Sequence, residues 1–318
     1  MSLLNVPDGA EWMVAEMGMS TPGELRQLSL LGRPDVAVFT VVRPVHLEFF
    51  GTVQAIAEAK SEILAGLAPD GVIVANADDP EVTRISKRHG ARVVWYGLDS
   101  AAADVRARDL APEPDGGVGS RFTLEAVGQS VEVRLPLHGL YNVGNCVAAA
   151  AAAWTIGLTL DEIAAAVRGV KPASGRGVVH RAEGGFLLID DSYNSNPDAV
   201  GKALESAAAM AGQRRVAILG DMLELGPEGP RFHREAGEAA ARHGFVVAAV
   251  GELSRELASG AKAAGAEAVW LPDAAAAADW AAGEVRSGDV VLVKGSRGVK
   301  LDGVVRRLLG QIAAEGVH

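Results

Sequence analysis

The strongest constraint on the fold is the alternation of short apolar runs with segments of helical periodicity along most of the 318 residues. Strand-length runs fall at residues 36–42, 71–76 and 92–96, and again at 186–190, 215–219, 245–250, 268–271 and 289–293. Residues 11–16 are read as a further strand. Residues 22–31, 53–67 and 80–90, then 198–211, 230–243, 252–265, 274–285 and 301–314, read as helices. Strands that alternate with helices imply βαβ units on a parallel sheet. Strands buried on both faces need not alternate polar with apolar residues.

The rhythm breaks over residues 103–138. A turn-rich stretch, Pro112-Glu113-Pro114-Asp115-Gly116-Gly117, precedes alternating segments at 122–126 and 130–135. These are read as an antiparallel flap on the parallel core, followed by helices at 142–156 and 160–169. The second βα series starts near Gly185. The expected fold class is therefore α/β, with two doubly wound domains at residues 1–177 and 178–318.

Net charge is −10, from 30 Lys and Arg against 40 Asp and Glu, which argues against a nucleic-acid surface with its basic patch. The longest apolar run, from Cys146 to Trp154, is too short to span a bilayer, so no membrane insertion is expected. Residues 1–7 carry no basic segment ahead of an apolar core, so no secretion signal is read. The single cysteine, Cys146, excludes an internal disulfide and fits a reducing cytoplasm, the expected location. It falls in an Ala-rich run and reads as packing.

In open α/β sheets ligands bind at the carboxyl ends of strands, and several polar strings stand there. Glu16 and His46 each follow a strand; they fit a shared Mg²⁺ or ordinary strand-end and loop positions. Lys60 lies mid-helix, where a solvated lysine is the ordinary reading. The carboxylates of Asn76-Ala77-Asp78-Asp79-Pro80 suit helix capping. Asn142 and Asn145 open a helix, either as caps or as amides that pair with a purine edge.

The richest string is Asp190-Asp191-Ser192-Tyr193-Asn194-Ser195-Asn196-Pro197, directly after a buried strand. Two acids and several amides in one turn exceed what a turn requires, and an Asp here suits a ribose hydroxyl pair. Gly220-Asp221-Met222-Leu223-Glu224-Leu225-Gly226 and Lys294-Gly295-Ser296-Arg297-Gly298 follow later strands. Basic side chains and glycine amides at such a point make a receptor for carboxylate or phosphate.

These strings, in this order, resemble the Mur ligases, ATP-dependent amide-forming enzymes with three domains. The likeness covers nearly the whole chain and is closest to the branch that adds D-alanyl-D-alanine. It implies a central ATPase-type sheet, here incomplete, and a Rossmann-like C-terminal domain. It assigns Glu16, His46 and Lys60 to Mg²⁺, with Lys60 carbamylated so that it becomes an anionic ligand; Lys60, His46 and Arg176 would then be catalytic. It places Asn142 and Asn145 on the adenine side, Arg176 at the phosphates, and Asp191 and Asn194 with the rest of the nucleotide. Asn196, Lys294, Ser296 and Arg297 fall to the substrate. The implied reaction activates UDP-N-acetylmuramoyl-tripeptide with ATP and joins it to D-alanyl-D-alanine, in a chain expected to act as a monomer.

The pattern departs from the family in three places. No G-x-x-x-x-G-K-[ST] loop occurs: the pair Gly201-Lys202 is followed by Ala203 within a predicted helix. Val41 stands where the family usually has Asn, and Leu140-Tyr141 where it often has Arg-His. The chain is accordingly expected to open partway through the central domain and to be an inactive fragment of a ligase. The alternatives are a noncatalytic nucleotide- or peptide-binding remnant, or another amide ligase of the folylpolyglutamate or cyanophycin synthetase type.

Overall fold

The computed structural model describes residues 6–44, 47–114 and 118–310, with the backbone alone at 47–48. Two compact units emerge, one gathering residues 1–108, 123–131 and 144–163, the other 109–122, 132–143 and 164–318.

The first half runs α1 (Glu24–Gly32), β1 (Val36–Phe39), α2 (Leu47–Phe50), α3 (Val53–Ser61), β2 (Val72–Asn76), α4 (Pro80–Lys87) and β3 (Arg92–Gly97). It continues with β4 (Val105–Pro112), β5 (Ser120–Ala126), β6 (Gln129–Leu135), α5 (Leu140–Thr155) and α6 (Leu160–Val167). The six strands form one sheet in the order β1-β2-β3-β4-β5-β6. β1, β2, β3 and β4 pair in parallel, as the alternation implies. β5 and β6 are joined by only Val127 and Gly128, at φ 40° and 79°. A two-residue link joins antiparallel neighbours, and positive φ at both positions is the turn whose twist matches the strands. The expected flap is therefore the continuation of the sheet.

One face of β1 and β2 packs Ala37, Phe39, Ile73 and Ala75 against Ile56 and Ala57 of α3 and Val82 and Ile85 of α4. Asp79 starts α4: its Oδ1 accepts from Glu81 N at 3.0 Å and Val82 N at 2.9 Å, with Pro80 at the first helical position. Residues 11–16 overturn one expectation. They are irregular, and Trp12 and Val14 are exposed, Val14 at 99%. An apolar run becomes a strand only where a neighbouring strand takes its backbone groups, and none pairs with this one among the described residues.

The second half runs β7 (Val178–Arg181), β8 (Leu187–Asp191), α7 (Pro197–Ala208), β9 (Arg214–Gly220), α8 (Gly229–Arg242) and β10 (Phe245–Val250). After these come α9 (Arg255–Ala263), β11 (Ala268–Leu271), α10 (Ala274–Glu284), β12 (Asp289–Lys294) and α11 (Asp302–Leu308). The order is β11-β10-β9-β12-β8-β7, parallel except for the edge strand β7. Alternate residues divide cleanly between two cores. Ile189, Ala217, Leu219, Val247 and Leu292 face α7, α8 and α9, whereas Leu188, Val216, Ile218, Ala248 and Val293 face α10 and α11. Each fully buried Leu, Ile or Phe here contributes about 1.5–3 kcal/mol from burial.

That division fixes where a ligand can bind. Chains leaving β8 and β9 turn to the α7–α8 face, and the chain leaving β12, which lies between them, turns to the α11 face. The crevice that opens where neighbouring connections diverge lies at the carboxyl end of β12.

Candidate active site

Three of the polar strings meet at that crevice. The register sets Lys294 of β12 beside Asp191 of β8 on one side and Leu219 of β9 on the other. Lys294 Nζ lies 2.7 Å from Asp191 Oδ2 and donates to Asn194 O at 2.9 Å. The Lys294 side chain is 3% exposed and that of Asp191 15%. Burial raises the Asp191 pKa above the usual carboxylate value, against the opposing attraction of Lys294 and Arg176. The preceding acid, Asp190, accepts from Ser192 N at 3.2 Å and Ser192 Oγ at 2.6 Å, which closes the turn onto itself.

The other predicted residues of the turn serve α7. Asn196 Oδ1 accepts from Ala199 N at 2.9 Å as the helix cap, with Pro197 following. Asn194 Oδ1 accepts from Ser195 N at 2.8 Å. Ser296 is buried: its Oγ accepts from Leu223 N at 3.1 Å, and its N–H donates to Asp221 O at the same distance. The loops after β9 and β12 are thus tied to each other through backbone groups.

A further set of bonds holds the β9 loop, and composition gave no sign of it. Asp221 Oδ1 accepts from Ser254 N at 2.8 Å and Ser254 Oγ at 2.7 Å. Met222 N donates to His233 Nε2 at 2.9 Å, so the ring proton stands on Nδ1 and is donated to Gly229 O at 2.7 Å. His233 is fully buried, and burial holds its pKa below the usual imidazole value.

Arg176 and Arg297 are both exposed, and their guanidinium carbons lie 4.3 Å and 5.4 Å from the centre of the Tyr193 ring. Gly175 and Gly177 flank Arg176 at φ 70° and 71°, which only glycine adopts without strain. Tyr193 N donates to Gly175 O at 3.0 Å. A Cβ on Gly177 would collide with the Tyr141 hydroxyl. That hydroxyl is pushed far up in pKa by burial and then by the charge of Asp191. Sequence reasoning also passed over Tyr193 and Tyr141 as site residues, although both lie inside quoted strings.

Asn142 is buried, and its Nδ2 donates to His138 O at 2.8 Å at the start of α5. Asn145, one turn on, is exposed. Cys146 is a free buried thiol with its pKa raised to about 11 by burial, a packing residue as expected.

In the first unit, Lys60 is half-buried in the last turn of α3. Desolvation lowers its pKa, with Asp79 opposing that shift. Asp79, 1% exposed, also accepts from Val42 N at 3.0 Å and pairs with Arg43 at 2.8 Å. Tyr96 OH donates to Phe39 O at 3.0 Å. Glu16 is exposed in the irregular segment, and His46 lies outside the described residues. Among the described residues no three His, Cys, Asp or Glu side chains gather as a metal site. None of their helices is long and apolar enough to cross a membrane.

The second unit is thus an open α/β domain with a charged crevice at its switch point, the class of fold that binds phosphorylated and carboxylated ligands. Residues 1–153 match the Mur ligase middle domain, and residues 175–297 the Mur ligase glutamate ligase domain. The chain belongs to the Mur ligase family. It is similar to the UDP-N-acetylmuramoyl-tripeptide--D-alanyl-D-alanine ligase of Escherichia coli, at 36% identity over 81% of this chain and 56% of that protein. The Bacillus subtilis protein of the same name is 31% identical over 97% of this chain and 66% of its own length. The chain therefore spans about 56–66% of the length of these two curated relatives. Among solved structures, MurF from Acinetobacter baumannii superposes with TM-score 0.83 at 26% identity, covering 92% of this chain and 63% of that one. MurF from Thermotoga maritima in complex with ADP gives 0.81 at 27%, covering 93% and 66%.

Proposed function

We propose that this chain supplies the central and C-terminal parts, residues 1–177 and 178–318, of a ligase that joins D-alanyl-D-alanine to UDP-N-acetylmuramoyl-tripeptide. The observation that carries the reading is the crevice at the carboxyl end of β12. There Asp191, Lys294, Arg176 and Arg297 converge in a chain whose relatives bear that name. Folylpolyglutamate synthase from Mycobacterium tuberculosis shares the fold at 21% identity, which supports the architecture and not the substrate.

In the proposed reaction the terminal carboxylate of the tripeptide attacks the γ-phosphorus of ATP, and ADP leaves. The amine of D-alanyl-D-alanine then attacks the acyl carbon, losing a proton as inorganic phosphate departs. The chain's own groups bind and orient. Asp191 is assigned to the ribose side, and Lys294 fixes its carboxylate in place. Asn142 and Asn145 are assigned to adenine contacts, and Asn194 to nucleotide binding. Arg176 and Arg297 carry positive charge where phosphate and carboxylate oxygens gather. Asn196 and Ser296 set the backbone of the two substrate loops.

Glu16, His46 and Lys60 are assigned to Mg²⁺. The donor chemistry fits provided Lys60 is carbamylated: its desolvation favours the neutral amine that takes up CO₂, and the product is an anion. A divalent cation held there would offset phosphate charge. Compartment and oligomeric state stay as expected from sequence, cytoplasmic and monomeric.

The test is calorimetric titration of the chain with ADP, D-alanyl-D-alanine, L-alanyl-L-alanine and L-glutamate. Saturable binding of ADP and selective binding of D-alanyl-D-alanine are expected. A preference for L-glutamate overturns the reading in favour of a folylpolyglutamate-type ligase. The sequence contains no phosphate loop, so ligation is expected only when one is supplied; steady turnover by these 318 residues alone would count against the assignment.

A further inference from the structure

Arg176 and Arg297 come from opposite ends of the second unit's sequence, one before β7 and the other after β12, yet both rest on one aromatic ring. Among the described residues neither makes an ion pair within 4.0 Å, and both are exposed. Asp191 attracts Arg176 through space but is itself paired with Lys294, so the two guanidinium groups share the Tyr193 ring with no ion pair of their own to hold them. The negative face of an aromatic ring does this while leaving the N–H groups free to bind.

Tyr193 is itself fixed. Its N–H donates to Gly175 O at 3.0 Å, and its backbone follows directly from the Asp190–Ser192 turn. The residue is 38% exposed and is not core packing.

We propose that Tyr193 is a positioning residue that sets Arg176 and Arg297 as a paired receptor for one oxyanion. The recognised chemistry is a phosphoryl or carboxylate group presenting two or more oxygens, which two planar guanidinium groups bind by charge-assisted hydrogen bonds. The inference rests on the ligase reading for its ligand but not for its geometry. The ring is the shared element, so loss of Tyr193 should affect both arginines together.

The test measures binding of pyrophosphate and of D-alanyl-D-alanine to the wild-type chain and to Arg176→Ala, Arg297→Ala, Tyr193→Leu and Tyr193→Phe. Thermal melts of each variant report folding. The wild type should bind at least one probe saturably, with affinity falling as salt rises. Pyrophosphate identifies a phosphoryl receptor, and D-alanyl-D-alanine a carboxylate receptor. Each Arg→Ala change should weaken that probe about tenfold, the scale of a lost charge-assisted contact. Tyr193→Leu should weaken it by about three- to tenfold, and Tyr193→Phe should stay within about twofold, because the ring face remains. Adding Tyr193→Leu to the double arginine variant should cost nothing more.

Wild-type-like binding by Tyr193→Leu overturns the proposal, as does equal damage from Leu and Phe, or no binding of either probe by the wild type. If Tyr193→Leu fails to fold, Tyr193→Gln, which also removes the ring face, takes its place with the same expectation, and wild-type-like binding by it overturns the proposal. A ligase assay that failed would remove the functional reading and leave this binding result standing.

Discussion

Lys294 and Asp191 are 103 residues apart and meet at 2.7 Å on neighbouring strands, with the ammonium almost wholly buried. The pair is structural as well as polar, because Lys294 also holds the Asn194 carbonyl and so pins the turn to β12. Lys294→Met should destabilise the fold by on the order of 3 kcal/mol, since it strands a buried carboxylate. Adding Asp191→Asn should recover much of that loss. Burial already raises the Asp191 pKa, and loss of the ammonium raises it further. The deficit should therefore shrink in acid and grow as pH rises through the raised value. Urea unfolding at several pH values measures both effects.

His233 offers the opposite sign. Its pKa is lowered in the fold, so the unfolded chain takes up the proton first as pH falls. The stability it supports is present above the ordinary imidazole value of about 6.5 and is lost below it, as pH falls toward the lowered folded value. Asp221 and Glu256 face the ring and moderate the shift. His233→Gln, which still accepts from Met222 N, should flatten the decline in melting temperature between about pH 7 and pH 5. An unchanged slope would show that this ring is not the titrating group.

Val127 sits at φ 40° in the two-residue turn between β5 and β6 and is 69% exposed. A β-branched side chain in the left-handed region costs about 1–2 kcal/mol, with no packing here to offset it. Val127→Asn creates the Asn-Gly pair that this turn favours and should raise stability by about 1 kcal/mol. Thermal unfolding of the two proteins compares them directly.

Lys60 should form a carbamate ahead of the exposed lysines, because desolvation leaves more of its amine neutral. Carbon NMR of the chain in labelled bicarbonate should show one carbamate signal that Lys60→Met removes. A signal that survives the substitution places the carbamate elsewhere.

Much of this was legible in the sequence where local pattern decides structure. The strands of the second half were readable because each is a short apolar run between helical segments, and Pro80 and Pro197 marked helix starts after acidic or amide caps. β4 was hidden by its polar residues Arg106, Arg108 and Asp109, which suit a strand with one open face. β7 was hidden by its four-residue length at a sheet edge. The site strings could be quoted, but their pairing could not. Lys294 with Asp191, and Ser296 with Leu223, depend on strand order, which local periodicity does not encode. His233 gave no signal because a histidine on a helix acquires its role only from the loop that folds over it.

The place of β12 in the sheet also bears on how the protein comes to be made. The strand that fills the middle, between β8 and β9, follows the other described strands of its sheet in the sequence and so leaves the ribosome after them. Until residues 289–294 emerge, β8 and β9 border a vacant slot with apolar faces above and below. The nascent domain is therefore held open until β12 arrives, in the state where holding chaperones engage and strand edges misassemble. The same late insertion brings Lys294 to Asp191, so the crevice closes electrostatically in the step that completes the sheet.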